Sequence, residues 1–181
     1  ARLSAAQVSI AEPFAYTITA DFFGNVLYTD TQFVDVLPRL DGRLVFSYTD
    51  IAIANSNSAA NHWSPDVVAP GVITFTTPDG TVQGRDSVTI TVSGIISNDV
   101  AAQQGVTFSN ALTLSFFHDG VAYDYTDTVS AEVKEPILGL HKAVTPAGGI
   151  DAAATLTYTL AVTHAAASNA TAYNVVITDV V

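Results

Sequence analysis

The reactive side chains of this 181-residue chain do not form a recognisable catalytic constellation. Serines, histidines and aspartates are present, but there is no nucleophile elbow, no paired carboxylates in a defined motif and no glycine-rich phosphate loop. The four histidines lack the spacing of a zinc site, and the absence of Cys excludes thiol chemistry and disulfides. The sequence therefore predicts a protein that is not an enzyme.

An amine, an amide and a carboxyl group are the side chains best suited to react with one another. Alternate residues from Val106 to Phe116 are apolar apart from Asn110, whose amide is therefore predicted to lie among core side chains. It is either a satisfied structural asparagine or part of a reactive site.

The same counting places Lys142 on an apolar face, and a neutral buried amine beside an asparagine amide and a carboxylic acid can form an isopeptide bond. Lys142 and Asp179 are candidates for such a bond, with the acceptor asparagine expected beyond the sequence; the favoured alternative keeps the Lys142 amine in water at the strand end.

Aspartates at predicted turns are candidate ligands for calcium, a hard cation that several oxygen atoms must coordinate. The candidates are Asp119, Asp124 and Asp127 around a His-Asp-Gly turn, together with Asp21, Asp30 and Asp41. None of them follows the D-x-D-x-D-G spacing of a calcium loop. The alternative of solvated acids at turns is therefore favoured, and calcium remains a candidate cofactor, including between neighbouring domains.

The single tryptophan, Trp63, lies beside His62 in an Asn/Ser/Ala-rich stretch that predicts an irregular surface loop from Ile53 to Pro65. An exposed ring flanked by polar groups would suit the face of a sugar, so Trp63 and His62 are candidate glycan-contact residues. The favoured alternative is an anchor that holds the loop to the body of the protein, or a contact with a neighbouring subunit.

Composition limits the partners. Seventeen acidic residues against six Lys and Arg give a net charge of −11 and an isoelectric point near 4.3. Such a chain repels phosphate backbones and anionic lipid headgroups, which excludes nucleic acid and membrane surfaces as expected partners. The longest apolar stretches, such as Val67–Ile73, are too short and too broken to insert into a bilayer.

These residues must be positioned by strands, because apolar and polar residues alternate along most of the chain. Ser87–Ser93 alternates most regularly, and the runs with the same pattern are Phe14–Ala20, Val26–Leu37, Arg43–Tyr48, Val72–Thr76, Val106–Phe117 and Val121–Val133. Turn sequences such as Asp41-Gly42 and Asp119-Gly120 separate the runs. Many short strands joined by tight turns predict an all-β sandwich.

An internal repeat divides the chain. Tyr16 and Asp35 recur as Tyr158 and Asp179 within similar strings and at nearly equal separations. The sequence predicts a first unit over 1–134, a short linker over 135–137 and the beginning of a second unit over 138–181. Arg2 is expected at the position that matches Lys142, and because arginine cannot form an isopeptide bond, the first unit is predicted to lack one.

The repeated strings carry a family resemblance. The second unit resembles the conserved-repeat domains of large bacterial surface proteins, over Leu138–Pro146, Thr155–Thr163 and Ala170–Asp179. The first unit is similar to domains of fimbrial and adhesin stalks, some of which form intramolecular isopeptide bonds, over Tyr16–Thr19, Phe33–Pro38 and Ser109–Leu114. The resemblance implies immunoglobulin-like Greek-key β-sandwiches in tandem, outside the cell, without catalysis.

The function predicted on this basis is structural. The chain is expected to act as a spacer or assembly unit of a bacterial surface protein, adhesin stalk or filament, with neighbouring repeats or identical subunits as partners. Exposed strand edges of the last unit could pair with another chain. The alternative is a module that binds carbohydrate or another surface through the Trp63 loop.

Overall fold

The computed structural model describes residues 1–3, 6–56, 62–149 and 151–180, and these residues form strands, turns and irregular segments without a helix. The strands in the first half are β1 Arg2–Leu3, β2 Gln7–Ser9, β3 Pro13–Asp21, β4 Leu27–Val36, β5 Arg39–Leu40, β6 Arg43–Leu44, β7 Phe46–Ser56, β8 Ser64–Ala69 and β9 Val72–Thr76. Those that follow are β10 Val82–Gln83, β11 Ser87–Ile96, β12 Thr107–His118, β13 Val121–Lys134, β14 Leu138–Thr145 and β15 Thr157–His164.

Two sheets pack face to face and form an immunoglobulin-like sandwich. The first sheet has the order β1-β3-β11-β7, and the second has the order β2-β13-β12-β4-β9-β8, with β10 also paired to β4. The strands pair antiparallel, except that β2 runs parallel to β13. Successive long strands alternate between the layers, from β3 to β4 and back to β7, so the all-β sandwich expected from the sequence is confirmed.

Strict alternation of side chains builds the core between the sheets. Along β11 every second residue is buried, so that Val88, Ile90 and Val92 face the other sheet while the intervening Thr and Ser residues face outward. Fully buried aromatic residues such as Phe33 and Phe108 extend the core from the second sheet. Each fully buried side chain of this size contributes about 1.5–3 kcal/mol relative to an exposed one, which holds the layers together.

Asp-Gly pairs make the tight turns. Asp41 and Gly42 join β5 to β6 with φ of 49° and 77°, and Asp119 and Gly120 join β12 to β13 with φ of 50° and 74°. Two successive residues with positive φ match the right-handed twist of the flanking strands, and Asp and Gly tolerate that conformation. The turns expected from the sequence therefore set the register of both hairpins.

The segment Ile53–Pro65 differs from the expected irregular loop. β7 continues to Ser56, and β8 begins at Ser64, so strand covers both ends of this segment. β7 is longer than expected because it pairs with β11 along its whole length, as far as Ser56 opposite Ser87. Residues 57–61 lie outside the described part of the chain.

Beyond the sandwich, β14 and β15 form a separate two-stranded antiparallel sheet that starts with Leu138 opposite His164. The segment Val175–Asp179, which corresponds to part of β4 in the repeat, has no assigned strand. The division at 135–137 and the immunoglobulin-like nature of the second unit remain predictions. The described part of the chain contains no helical segment that could span a bilayer.

Candidate functional site

A buried polar network joins the two layers of the sandwich. Tyr16 lies on β3 of the first sheet, whereas Asp35 on β4 and Asn110 on β12 lie on adjacent strands of the second sheet. The Tyr16 hydroxyl donates a hydrogen bond to Oδ2 of Asp35, and Nδ2 of Asn110 donates to Oδ1 of Asp35 over 2.9 Å. The three side chains are at most 2% exposed, so a single carboxyl group accepts hydrogen bonds from both sheets in the dry interior.

Burial changes the acidity of both titratable members of this network. Desolvation raises the pKa of Asp35 above its usual value, against the hydrogen bonds from Tyr16 and Asn110, which favour the carboxylate. Desolvation also raises the pKa of Tyr16, and the neighbouring Asp35 carboxylate adds to that effect. The phenol therefore stays protonated and remains a hydrogen-bond donor, and Asp35 takes up a proton more readily than an exposed aspartate does.

One acceptor of the network is unsatisfied. Oδ1 of Asn110 is buried and has no hydrogen-bond partner among the residues that the structure describes. The O and N atoms of an amide are placed by their hydrogen bonds, and a half-turn of the Asn110 amide would present Oδ1 to Asp35. In that orientation Oδ1 can accept the proton of a neutral Asp35. The network can thus accommodate both protonation states of the carboxyl group.

The buried position of Asn110 is the one expected from the sequence, but the sequence interpretation did not single out Asp35 as its partner. The sequence did contain an indication that Asp35 is buried. Asp35 lies an even number of residues from Thr31 and Phe33, so it is on the same face of β4 as these two buried residues. What the pattern could not show is that Tyr16 reaches Asp35 from the opposite sheet, 19 residues away along the chain.

The candidate isopeptide residues of the second unit lie close together. Nζ of Lys142 is 2.6 Å from Oδ1 of Asp179, and it also lies over the ring of Tyr158, 4.7 Å from its centroid. The Lys142 side chain is 38% exposed, so it is not the buried, desolvated amine that the reactive interpretation requires. The geometry is that of an accessible ion pair, which agrees with the alternative of an amine kept in water.

The strand registers correct the position assigned to Arg2. Leu3 lies opposite Tyr16 in the first unit, as Val144 lies opposite Tyr158 in the second. By the same register Arg2 corresponds to Ala143, one residue away from Lys142. A shift of one residue exchanges the two faces of a strand, so the expected match between Arg2 and Lys142 is wrong.

The candidate calcium ligands do not converge. Asp124 and Asp127 are an odd number of residues apart on β13 and therefore point to opposite faces of the sheet, and Asp119 lies at the hairpin turn. The remaining candidates are also spread apart: Asp21 ends β3, Asp30 lies within β4 where its pairing with β12 is irregular, and Asp41 lies in the β5–β6 turn. No group of three potential metal ligands occurs among residues 1–3, 6–56, 62–149 and 151–180. Positive φ angles at Asp41 and Asp119 explain these two aspartates as turn residues, whereas the positive φ of Asp30 coincides with the irregularity in β4.

Trp63 is not an exposed platform for a sugar. Its side chain is 6% exposed and packs in the core, with ring centroids 4.8 Å from Phe33 and 6.5 Å from Phe22. The candidate glycan platform does not agree with this burial, whereas the favoured alternative of an anchor does. His62 is exposed beside it. A hydrophobic ring that can enter the core does so, because burial of its surface is favourable.

An aromatic cluster that the sequence interpretation missed lies at the β12–β13 hairpin. Phe116 stacks against Tyr123 and Tyr125, with centroid distances of 5.3 and 5.9 Å, and meets Tyr28 edge-on at 5.0 Å. Phe116, Tyr123 and Tyr125 have the parity of core-facing residues, yet Tyr125 is 59% exposed. The hairpin therefore presents part of its inner face to solvent.

Comparison with known proteins shows the fold. No protein-family model and no curated protein matches the chain. The solved structure of BcpA, the major pilin subunit of Bacillus cereus, is similar with a TM-score of 0.55 and 14% identity, over 78% of this chain and 40% of that one. SpaD, the full-length major pilin from Corynebacterium diphtheriae, is similar with a TM-score of 0.51 and 15% identity, over 77% and 34% of the two chains.

An adhesin domain has the same architecture. The N-terminal domain of the Streptococcus gordonii adhesin Sgo0707 has a TM-score of 0.51 and 12% identity, over 73% of this chain and 31% of that one. The chain thus spans between about a third and two fifths of the length of these three structures. Because the identities are this low, the likeness establishes the fold alone, which is a pilin-like or adhesin-like sandwich.

Proposed function

We propose that the chain is a non-catalytic structural module of an extracellular surface filament or adhesin stalk, in which consecutive units hold a fixed spacing. The observation that carries this proposal is the junction after β13, where a very short connection is hydrogen-bonded on both sides. The pilin and adhesin folds of the similar structures support the same setting.

The first half of the junction is attached to the sandwich. The backbone N–H of Glu135 donates to Oε1 of Gln104 over 2.8 Å, and the N–H of Gln104 donates to Oε2 of Glu135 over 3.2 Å. This reciprocal pair ties the residue after β13 to the loop before β12. Rotation of the chain at this point would break both hydrogen bonds.

The second half of the junction is attached to the segment that follows. The N–H of Ile137 donates to Oγ of Ser168 over 3.0 Å, and the N–H of Ala165 donates to the carbonyl oxygen of Ile137 over 2.9 Å. Pro136, between the two attachments, has a fixed φ. A connection held in this way suits a rod whose length must be maintained under load.

The test is to lengthen the junction. Insertion of about four Gly and Ser residues after Pro136 in the full-length protein should leave each unit folded but allow the units to move independently. We expect small-angle scattering to change from the profile of a stiff rod to that of a flexible chain, and electron micrographs to show bent particles. The same insertion after Gly120, at the β12–β13 turn, is the matched control. If the junction insertion leaves the particles as straight as the control does, the spacer proposal is wrong.

An isopeptide bond at Lys142, with Asp179 as the neighbouring acid, remains a candidate within this proposal, beside the favoured alternative of an ion pair. An isopeptide bond would join the lysine amine to an asparagine side-chain carbonyl, with the amide nitrogen leaving as ammonia. The intact mass of the full-length protein measures this directly. A mass equal to that of the sequence, with no ammonia lost, would exclude the bond and leave the Lys142–Asp179 ion pair as the whole interaction.

A further inference from the structure

The second sheet has, at one edge, a long strand that lacks a neighbour over most of its length. On one side β13 pairs with β12 from Val121 to Glu132, whereas on the other side β2 covers only Glu132–Lys134. Among the residues that the structure describes, no strand pairs with Val121–Val129 on that second side, and we call this segment the free edge. The residues from Val121 to Thr128 are all exposed. The free edge therefore has room for another strand.

Hydrogen bonds at the end of β13 show which backbone groups point towards the free edge. The N–H of Val133 donates to Val106 on the β12 side, and the N–H of Glu132 donates to Ala6 on the β2 side. Successive residues of an antiparallel strand direct their backbone groups to opposite sides. Because the pairing with β12 has no irregularity, the even-numbered residues from Ala122 to Thr128 direct their N–H and C=O groups away from β12.

Asp127 confirms that this row of backbone groups has no strand beside it. The N–H of Thr128 donates to Oδ1 of Asp127, the residue next to it in sequence, over 2.9 Å. Oδ2 of Asp127 accepts from the Ala1 amine. Asp127 lies opposite the buried Leu112 and therefore has inward parity, so the contact with Ala1 is on the inner face of the sheet. The side of β13 in the plane of the sheet stays open.

The other edges of the sandwich have features that prevent pairing, and the free edge does not. β8, at the opposite edge of the second sheet, contains Pro65 and an irregular register. β7, at the edge of the first sheet, has an irregularity opposite Ser93 and Gly94. Proline and β-bulges interrupt the regular row of donors and acceptors that an added strand needs. Val121–Val129 contains neither proline nor lysine and is regular throughout, so it is a template for pairing.

The free edge is complementary to a second copy of itself in antiparallel orientation. When Tyr125 lies opposite Tyr125 of the second copy, the whole of Val121–Val129 is paired. No acidic residue then lies opposite another, and the pairs on either side of the centre are Asp124 with Thr126, Asp127 with Tyr123, and Val121 with Val129. Registers centred on Asp124 or on Asp127 would instead oppose two carboxylates, which is unfavourable.

Pairing in this register also covers apolar side chains that are exposed in the single chain. Val121 is 51% exposed and Tyr125 is 59% exposed, and Phe116 stacks against Tyr123 and Tyr125. Opposite residues of an antiparallel pair lie on the same face of the sheet, so the aromatic side chains of the two copies come together on one face. Backbone hydrogen bonds and apolar burial thus act together.

We propose that two copies of this chain associate through their free edges, antiparallel and centred on Tyr125, and so join their second sheets into one continuous sheet. This inference goes beyond the proposed spacer function, because it concerns the lateral association of two chains and not the spacing of units along one. Each copy has a net charge of −11, and this repulsion opposes association unless salt screens it.

Sedimentation equilibrium of the full chain, at concentrations up to about 1 mM, measures the association. We expect a monomer–dimer equilibrium that is at least about threefold tighter at about 0.5 M salt than at about 0.05 M. A protein that stays monomeric under all of these conditions would overturn the proposal, and so would a dimer that dissociates as salt is added.

Charge substitutions at Tyr125 test the register. In Tyr125→Lys and in Tyr125→Glu, two like charges would face each other at the centre, so each variant alone should dimerise at least about tenfold more weakly. An equimolar mixture of the two variants should recover association, because a lysine then lies opposite a glutamate. Tyr48→Lys and Tyr48→Glu, at an exposed position on β7, are the matched controls and should dimerise as the wild type does. A mixture that associates no better than either variant alone would contradict the register.

A cysteine cross-link tests the same register without introducing charge. The chain contains no native cysteine, and the two Tyr125 Cα atoms would be about 4.5 Å apart, within the range that a disulfide spans. Mild oxidation should therefore link two chains of Tyr125→Cys. Val121→Cys is the matched control, because the two Val121 positions lie at opposite ends of the paired segment. Cross-linking of Val121→Cys as fast as that of Tyr125→Cys would overturn the proposed pairing.

Discussion

Replacement of Asp35 tests whether the cross-layer network stabilises the fold. Asp35→Ala leaves two buried donors, the Tyr16 hydroxyl and the Asn110 amide, without their acceptor. Each such loss costs about 1–3 kcal/mol, so we expect unfolding free energy to fall by roughly 2–6 kcal/mol near pH 4. Near neutral pH the loss should be smaller, because removal of the buried carboxylate also removes its desolvation cost.

Asp35→Asn separates the hydrogen bonds from the charge. The introduced asparagine carbonyl can accept from Tyr16, and once the Asn110 amide has made a half-turn, the introduced NH₂ group can donate to Oδ1 of Asn110. This variant therefore resembles the wild-type protein with Asp35 protonated. Near neutral pH we expect it to be within about 1 kcal/mol of the wild type or more stable.

The pH dependence has a defined sign. The pKa of Asp35 is raised in the folded state, so the folded protein holds the proton more tightly than the unfolded chain does. The resulting stabilisation is complete below the unfolded pKa of about 4 and is lost as pH rises through the folded pKa. Relative to Asp35→Asn, the free energy of unfolding of the wild type should fall by up to about 1.4 kcal/mol per pH unit between the unfolded and the folded pKa of Asp35.

Urea unfolding followed by the fluorescence of Trp63 measures these differences, since this single tryptophan is buried in the folded state. Asp66→Asn, at an exposed position on β8, makes the same change in net charge and serves as control. A stability difference between wild type and Asp35→Asn that does not vary with pH, or that favours the wild type as pH rises, would refute the desolvation argument. Full stability of Asp35→Ala near pH 4 would refute the role of the hydrogen bonds.

Three further substitutions or conditions test other parts of the structure. Gly94→Ala should lower the free energy of unfolding, measured in urea, by about 1–3 kcal/mol, because the added methyl group would overlap the Phe46 ring and the Ser47 carbonyl oxygen at the β-bulge. A variant as stable as the wild type would contradict this packing. Trp63→Ala should lower the free energy of unfolding by about 3–5 kcal/mol, measured by thermal unfolding followed by circular dichroism. A loss below about 0.5 kcal/mol, which is typical of an exposed residue, would mean that the ring is not a core anchor. The melting temperature should be the same in calcium and in chelator, since no three acids converge among the described residues; a calcium-dependent rise would reveal a site formed between units or chains.

Strand content and turn chemistry follow from the sequence because both are local properties. Alternation of period two in Ser87–Ser93 determines which side chains of β11 can face a core, and Asp119-Gly120 supplies the two positive φ angles of a tight hairpin. The same parity places Asn110 inside. None of these inferences requires knowledge of which strands are neighbours.

Trp63 and Asp35 depend on the tertiary structure. The sequence around Trp63 is polar and irregular, but its ring packs in the core against Phe22 and Phe33. Both of these residues are far from Trp63 along the chain. Asp35 becomes a cross-layer acceptor only because β3 and β12 bring two donors to it from separate sheets.

The sequence by itself determined the all-β character of this chain, the faces of its strands and the positions of its tight turns. The tertiary structure decided which of those faces is covered: Asn110 lies beneath the opposite sheet, while Tyr125, on an equally inward-facing position, stays 59% exposed on the β12–β13 hairpin. The physical reason is that side-chain parity is a property of one strand, whereas burial depends on where the facing sheet ends.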